Sequence, residues 1–216
     1  YYIVQDEASA LVATSIGLPV DKEYKILDTC AAPGGKSLHI ASKYFNSTLT
    51  SCDKYIHKLK LIEDNKEKLG INNIQVKEQD ATVNNDSFIE NFDIVVCDVP
   101  CSGIGVIKNK PEIKYKITNA YIEDIAKLQY QILENSKNYV KQGGTLMYST
   151  CTIDKRENIK NIEKFLKENK DFSLENITLN NSIVKSRENG VLEILPDEYS
   201  CDGFFIAKLK KMEAKC

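Results

Sequence analysis

The chain has 216 residues, enough for one well-buried domain, and 42% hydrophobic with 28% charged residues is ordinary for a globular protein. No apolar run approaches the ~20 residues that a membrane helix needs, which argues against an integral helical membrane protein. A formal net charge of −2 is weak for a nucleic-acid binder, so any such role must rest on local clusters. Two exist: Lys108, Lys110, Lys114 and Lys116, opposed only by Glu112, and Lys208, Lys210, Lys211 and Lys215 near the end. Taken alone, each reads as solvated surface.

In chain order, a mildly apolar stretch at residues 8–20 comes first. Asp6 and Glu7 precede it, the wrong charge for a signal peptide. The chain opens on Tyr1 rather than Met, which points to a piece of a longer protein. A short apolar run ending in an acid then recurs. YKILD (24–28) leads into Gly34-Gly35 and a helical stretch at 36–44. LTSCD (49–53) leads into an amphipathic run at 56–69 that Gly70 should stop. IQVKEQD (74–80) and IVVCD (94–98) follow. A long helical pattern carrying Ile122, Ile125, Leu128, Ile132 and Leu133 ends before Gly143-Gly144. TLMYS (145–149) then enters a helix with Ile159, Ile162 and Phe165 on one face, for which Asp154 and Glu157 are spaced as an N-cap and its reciprocal partner. Residues 170–189 carry no motif, and their structure is left open.

Strands alternating with helices predict a parallel sheet covered on both faces. The ending differs: runs at 191–195 and 204–209 have no helix between them and should form an antiparallel hairpin on the sheet edge. The expected fold is a single doubly wound, Rossmann-like α/β domain of at least six strands, mostly parallel with that C-terminal edge hairpin.

Ligands of such sheets bind at the carboxyl ends of the strands, and four successive ends carry Asp28, Asp53, Asp80 and Asp98. Asp53 stands where nucleotide-binding sheets hold a ribose hydroxyl pair. Asp80 suits the exocyclic amine of adenine, because a carboxylate only accepts. The turn Cys30-Ala31-Ala32-Pro33-Gly34-Gly35-Lys36-Ser37 lacks G-x-G-x-x-G. It also has Cys30 where a phosphate-binding P-loop requires its first glycine. An acid at the preceding strand end would repel a triphosphate but suits a cationic sulfonium bearing an amino-acid tail.

Seven scattered cysteines (30, 52, 97, 101, 151, 201 and 216), with no C-x-x-C pair and two histidines, support neither a metal site nor a disulfide framework. Free thiols in a reducing cytoplasm are expected. Each is then a small core hydrophobe or a reactive group. Cys101, in DVPCSG, and Cys151, in STCT, each lie just past a strand end beside the ligand cleft, and each precedes a hydroxyl residue. A thiol and a carboxylate near a methyl donor suit one substrate in particular. Cytosine C5 is too electron-poor to attack a methyl sulfonium until a thiolate adds to C6 and an acid protonates N3. A base then removes the C5 proton and the thiolate leaves, so a hard step is split in two.

CAAPGGKS after YKILD, DVPCSGIGVIKNKPEIKY, GGTLMYSTCT with Glu157-Asn158 behind it, DGFFIAKLKK and the opening YYIVQDEASALVA together resemble the RsmB/Nop2/Sun family of RNA cytosine-C5 methyltransferases. GVIKNKPEIKY with LQYQIL is most similar to its bacterial 16S ribosomal RNA branch. The resemblance covers nearly the whole chain, in order. It implies a methyltransferase sheet and S-adenosyl-L-methionine as cofactor. RNA, here 16S ribosomal RNA, is the implied partner, with no metal or membrane, and a monomer is expected. Residues 1–216 would be the catalytic domain, with the family's upstream RNA-binding domain missing, which would lower RNA affinity.

Residue by residue, the resemblance puts Cys30, Ala31, Ala32, Pro33, Gly34, Gly35 and Lys36 at the methionine end of the cofactor. It puts Asp53 at the ribose, Asp80 at the adenine, and Asp98 between cofactor and cytosine. Lys36 would also face the base. Cys151 is the implied nucleophile, and Cys101 the implied aid to product release. Cys101 would instead be the nucleophile in a DNA cytosine-C5 methyltransferase. That enzyme, a P-loop hydrolase and a catalytically silent RNA-binding module are the alternatives.

Overall fold

The computed structural model describes residues 4–179 and 189–213. The chain first lays down helix α1 (Glu7–Ser15), capped by Asp6, whose carboxylate accepts from Ala8 N–H at 2.9 Å. Two strand–helix units follow, β1 (Lys25–Asp28) with α2 (Gly35–Lys43) and β2 (Thr48–Asp53) with α3 (Ile56–Leu69), and then β3 (Ile74–Glu78), which returns through a loop to β4 (Phe92–Asp98). Helix α4 (Asn119–Ser136), strand β5 (Val140–Thr150) and helix α5 (Ile159–Glu168) complete the alternating part. Strands β6 (Phe172–Leu174), β7 (Val191–Ile194) and β8 (Phe204–Lys211) close it.

Among the described residues, eight strands form one sheet in the order β3-β2-β1-β4-β5-β8-β6, with β7 also paired to β8. The first five are mutually parallel, and β8 runs antiparallel to β5, β6 and β7. Side chains alternate between two cores, as the period of two demands. Ile26, Ile94, Val96 and Met147 face one core with α1 and α2. Leu27, Val95, Cys97, Leu146 and Tyr148 face the other with α4 and α5. This is the expected doubly wound sheet, and its order reverses at β1, so a crevice opens between the ends of β1 and β4.

Three expectations change. The C-terminal hairpin exists, but only β7 and β6 lie at the edge. β8 is interior, bonded along one side to β5 and along the other to both short strands, which is why nearly every residue of FFIAKLKK is buried. The terminal lysines are therefore not solvated surface. Lys208 is 6% exposed and pairs with Glu175 at 3.1 Å, and Lys211 is 7% exposed and pairs with Glu90 at 2.9 Å; Lys215 lies outside the described residues. The stretch left open supplies β6, and residues 180–188 lie outside the described residues.

The third change concerns α5. Its N-cap position is Asn158, not Asp154. Asp154 instead accepts from the backbone N–H of Arg156 at 2.8 Å and pairs with its guanidinium at 2.7 Å. Glu157 turns away into the interior. By contrast α3 ends as read: Gly70 adopts φ +67° and donates to the carbonyls of Glu67 and Lys66.

Candidate active site

The turn after β1 begins with Ala31 N–H bonded to the carbonyl of Cys52 at 2.7 Å, which locks it against the end of β2. Gly34, at φ +108°, makes the corner. A Cβ there would press on Ile62 at 3.2 Å, so a side chain is excluded by both conformation and space. Gly34 is buried against α3, and its role is to let the backbone turn. Beyond it, the first N–H groups of α2 are left without intrahelical partners. Ala31, Ala32, Pro33, Gly35, Lys36 and Asp98 line a cavity of about 250 Å³ at this end of the helix.

A neighbouring cleft of about 240 Å³ lies past the ends of β2 and β3, with Cys30, Asp53 and Asp80 in its lining. Pro100, Leu128 and Ile132 supply an apolar wall. Asp53 Oδ1 accepts from Tyr55 N–H at 3.0 Å, and Oδ2 has no protein donor among the described residues. Asp80 is more engaged. Lys54 pairs with it at 2.8 Å while Thr82 donates through backbone and hydroxyl. The Lys54 bond first, then those of Thr82, hold its carboxyl down at about 2. Cys30 packs by its thiol against the core and is pushed far above an ordinary thiol by burial; it is a wall, not a nucleophile.

Asp28 also lines the cavity at the start of α2. It is fully buried and accepts from Ser37 Oγ at 2.6 Å, which in turn receives Ser51 Oγ at 2.9 Å. Burial pushes its carboxyl up to about 7. Its oxygens fasten the start of α2 at the base of the cavity. Beside it, one oxygen of Asp98 accepts from Ser149 Oγ at 2.7 Å while the other pairs with Lys36 Nζ at 2.6 Å. Burial opposes the Lys36 ammonium, but Asp98 and then Asp28 hold it charged, above its ordinary value. Lys36 also lies 5.3 Å from the Phe204 ring centroid, at the start of β8.

Cys101 and Cys151, fifty positions apart, meet with their sulfurs 3.1 Å apart. Both thiols are partly exposed. Their surroundings differ. The hydrogen bond shared with Cys101 holds Cys151 below the ordinary thiol value, and the Lys36 and Lys110 ammoniums help against burial and Asp98. Cys101 is pushed well up, first by that same hydrogen bond, then by burial and by Glu157. The Lys36 and Lys110 ammoniums thus act on Cys151, and Glu157 acts on Cys101.

Behind the thiols is a network that no local pattern announced. Glu157, fully buried, accepts from Ser102 N–H at 2.8 Å, Ser102 Oγ at 2.5 Å, Gln129 Nε2 at 2.8 Å and Thr152 Oγ1 at 3.1 Å. The Ser102 and Thr152 hydroxyls also lie 2.9 Å apart, so their two protons are shared among this contact and the two to Glu157. Asn158 accepts from Thr150 Oγ1 at 2.6 Å and donates to the carbonyl of Thr152 at 2.8 Å, bracketing Cys151. The one sequence signal was the hydroxyl residue after each cysteine. Gly105 N–H bonds the carbonyl of Cys151 at 3.1 Å, and Gly105 carbonyl takes Gly203 N–H at 2.9 Å. The Lys108–Lys116 region runs over this crossing as a short 3-10 turn, Pro111–Tyr115, with Asn109 bonded to Asp202 at 2.9 Å.

A model of the family described as 16S rRNA methyltransferase RsmB/F matches residues 15–210. The chain belongs to that family. Among RsmB/F relatives, it is 42% identical over 214 residues to the "Probable ribosomal RNA small subunit methyltransferase B" of Bacillus subtilis (strain 168), covering 96% of this chain and 47% of that protein. It is 36% identical over 208 residues to ribosomal RNA small subunit methyltransferase B of Shewanella oneidensis, covering 96% and 47%. The chain thus spans about half the length of the curated relatives it matches. Among solved structures, NSun6 from Pyrococcus horikoshii with SFG superposes with a TM-score of 0.84 at 30% identity, covering 99% of this chain and 54% of that one.

Proposed function

We propose that residues 1–216 form a catalytic domain that transfers a methyl group from S-adenosyl-L-methionine to C5 of a cytosine in RNA, in 16S ribosomal RNA, with Cys151 as nucleophile. The observation that carries the reading is the Cys101–Cys151 contact at 3.1 Å, with Lys36 and Lys110 acting on Cys151 and Asp98 beside it.

The residues present fit the cofactor. Asp53 offers a carboxylate oxygen without a protein donor to a ribose hydroxyl pair. Pro100, Leu128 and Ile132 offer an apolar slot to adenine, and Asp80, a carboxylate with about four lone-pair sites, retains capacity for its amine. The N–H groups at the start of α2 suit the methionine carboxylate. When bound, the cofactor supplies an electrophilic methyl group on a cationic sulfur. The protein's part is to prepare the base. The Cys151 thiolate adds to C6, forming the S–C bond, and the Lys36–Asp98 pair supplies the proton that N3 takes up. C5 is thereby made a carbon nucleophile. Once C5 carries the methyl, a base removes the C5 proton, electrons return to the C5–C6 bond, the Cys151 sulfur leaves, and N3 returns its proton to the Lys36–Asp98 pair. The Cys101 thiol, in contact with that sulfur, is the proton source that assists its departure.

Transfer of label from radiolabelled S-adenosylmethionine to 16S ribosomal RNA, recovered as 5-methylcytosine, tests the reading. Label on another base, or none, overturns it. Asp53→Ala should weaken S-adenosylmethionine binding by ~1.5–3 kcal/mol, the range for hydrogen bonds to charged groups, or roughly ten- to a hundred-fold in Kd. Calorimetric titration giving an unchanged Kd would remove Asp53 from the cofactor site.

The target base must lie in a loop or be flipped out of its stack, and the flanking phosphates need cations. Lys108 and Lys110, beside the thiols, are proposed to hold them. Neutralising both should weaken RNA binding and reduce the slope of log affinity against log salt by about 2, at roughly one unit per phosphate contact, while cofactor affinity stays constant. An unchanged slope would return the segment to plain surface.

A further inference from the structure

Glu157 touches neither thiol, yet every loop that carries one is tied to it. The strand β4 loop reaches it through Ser102, by backbone and hydroxyl; the β5 loop through Thr152; and helix α4 through Gln129. Gln129 extends the tie, because its Nε2 also donates to the carbonyl of Pro100 at 2.9 Å, the residue before Cys101. A fully buried carboxylate is costly unless its oxygens are supplied with donors. Here both are supplied, by the residues that follow the two cysteines and by Gln129. The two loops diverge from adjacent parallel strands, and the only other described ties between them beyond the strand ends are the Ser102–Thr152 hydroxyl bond, the sulfur contact itself and the Gly105 N–H bond to the Cys151 carbonyl.

We propose that Glu157 is a positioning residue: by gripping Ser102 and Thr152 with one carboxylate it sets the separation and orientation of the Cys101 and Cys151 sulfurs. The role in methyl transfer rests on the proposed cysteine reaction, but the geometric claim does not. A carboxylate is required because four donors converge. Glutamine in its place would present an amide NH2 to one or more of them, so one side of the grip would be replaced by donor facing donor.

The test reads sulfur geometry and catalysis separately, on the full chain. Diamide removes two electrons and two protons from a pair of thiols that can reach one another, leaving a disulfide and the reduced hydrazine. In the wild-type protein a Cys101–Cys151 bond should form readily, identified by peptide mapping. Glu157→Ala should slow its formation about tenfold or more and lower kcat for methyl transfer about a hundred-fold, the effect of a displacement near 1 Å. KM for S-adenosylmethionine should stay constant. Glu157→Gln should fall between the two proteins in both readouts. Should Glu157→Ala fail to fold, Thr152→Val, which removes one strut alone, must show the same two effects in reduced measure. Unchanged diamide rates and kcat in a folded variant overturn the proposal. If the wild type modifies no cytosine while the diamide contrast persists, the proposed reaction fails and the positioning role stands.

Discussion

Cys151→Ala is expected to abolish methyl transfer together with any covalent bond between RNA and protein, because addition to C6 precedes every later step. Loss of a covalent nucleophile costs on the order of 10⁴- to 10⁶-fold in kcat. Cys101→Ala should behave in the opposite way. Addition and transfer remain possible, but the departing Cys151 sulfur has lost its adjacent proton source, and a denaturant-resistant RNA adduct should accumulate. Gel electrophoresis under denaturing conditions after incubation with RNA and S-adenosylmethionine distinguishes the two. The physical basis is the asymmetry of the pair: Cys151 is held below the ordinary thiol value by the Cys101 thiol and the Lys36 and Lys110 ammoniums, and Cys101 is pushed up. An adduct in Cys151→Ala that vanishes in Cys101→Ala would invert the assignment and make the chemistry that of the DNA-modifying enzymes.

The second large effect is expected at Gly105, which carries no reactive group of its own but bonds the Cys151 carbonyl through its backbone. A Cβ at that position would lie 2.1 Å from the carbonyl oxygen of Gly203 and 2.8 Å from that of Cys151. Both are backbone atoms, so no side chain can swing aside. Gly105→Ala must therefore separate the loops, at a cost of about 1–3 kcal/mol for overpacking of this kind, with each kcal/mol lowering the thermal midpoint by about 2–4 °C in a domain of this size. The carbonyl that moves belongs to Cys151, so methyl transfer should also fall about a hundred-fold. Gly70→Ala is the control. Its Cβ would meet nothing within 4 Å, and only the strain of its positive φ applies. Equal midpoints and full activity for Gly105→Ala would show that the crossing tolerates a methyl group.

Much of this was legible before any coordinates. The short apolar runs IVVCD and TLMYS, and Gly70 after an amphipathic run, gave strands and a helix stop because those signals are local. The paired cysteines were legible because the ends of adjacent parallel strands must meet. What failed was long-range. Asp154 and Glu157 have capping-box spacing, yet Glu157 is drawn inward by Ser102, Gln129 and Thr152, which outbid a single backbone N–H. The lysines of β8 look like a basic tail until Glu90 and Glu175 are brought beside them by strands distant in the chain. In each case one side chain's partner, rather than its own type, decides its role.

The interior place of β8 has a consequence for how the protein is made. As synthesis proceeds, β1 to β5 and their helices emerge first and can dock, since their contacts follow chain order. Until Phe204–Lys211 appears, however, β5 presents a long, apolar, unpaired edge, the kind that pairs with other chains. The same segment delivers Phe204 to Lys36 and, just before it, Gly203 to Gly105. A nascent chain thus holds the crevice between β1 and β4, with its thiol loops already tied by Ser102, Thr152 and Glu157, and β8, once it emerges, seals the sheet against aggregation.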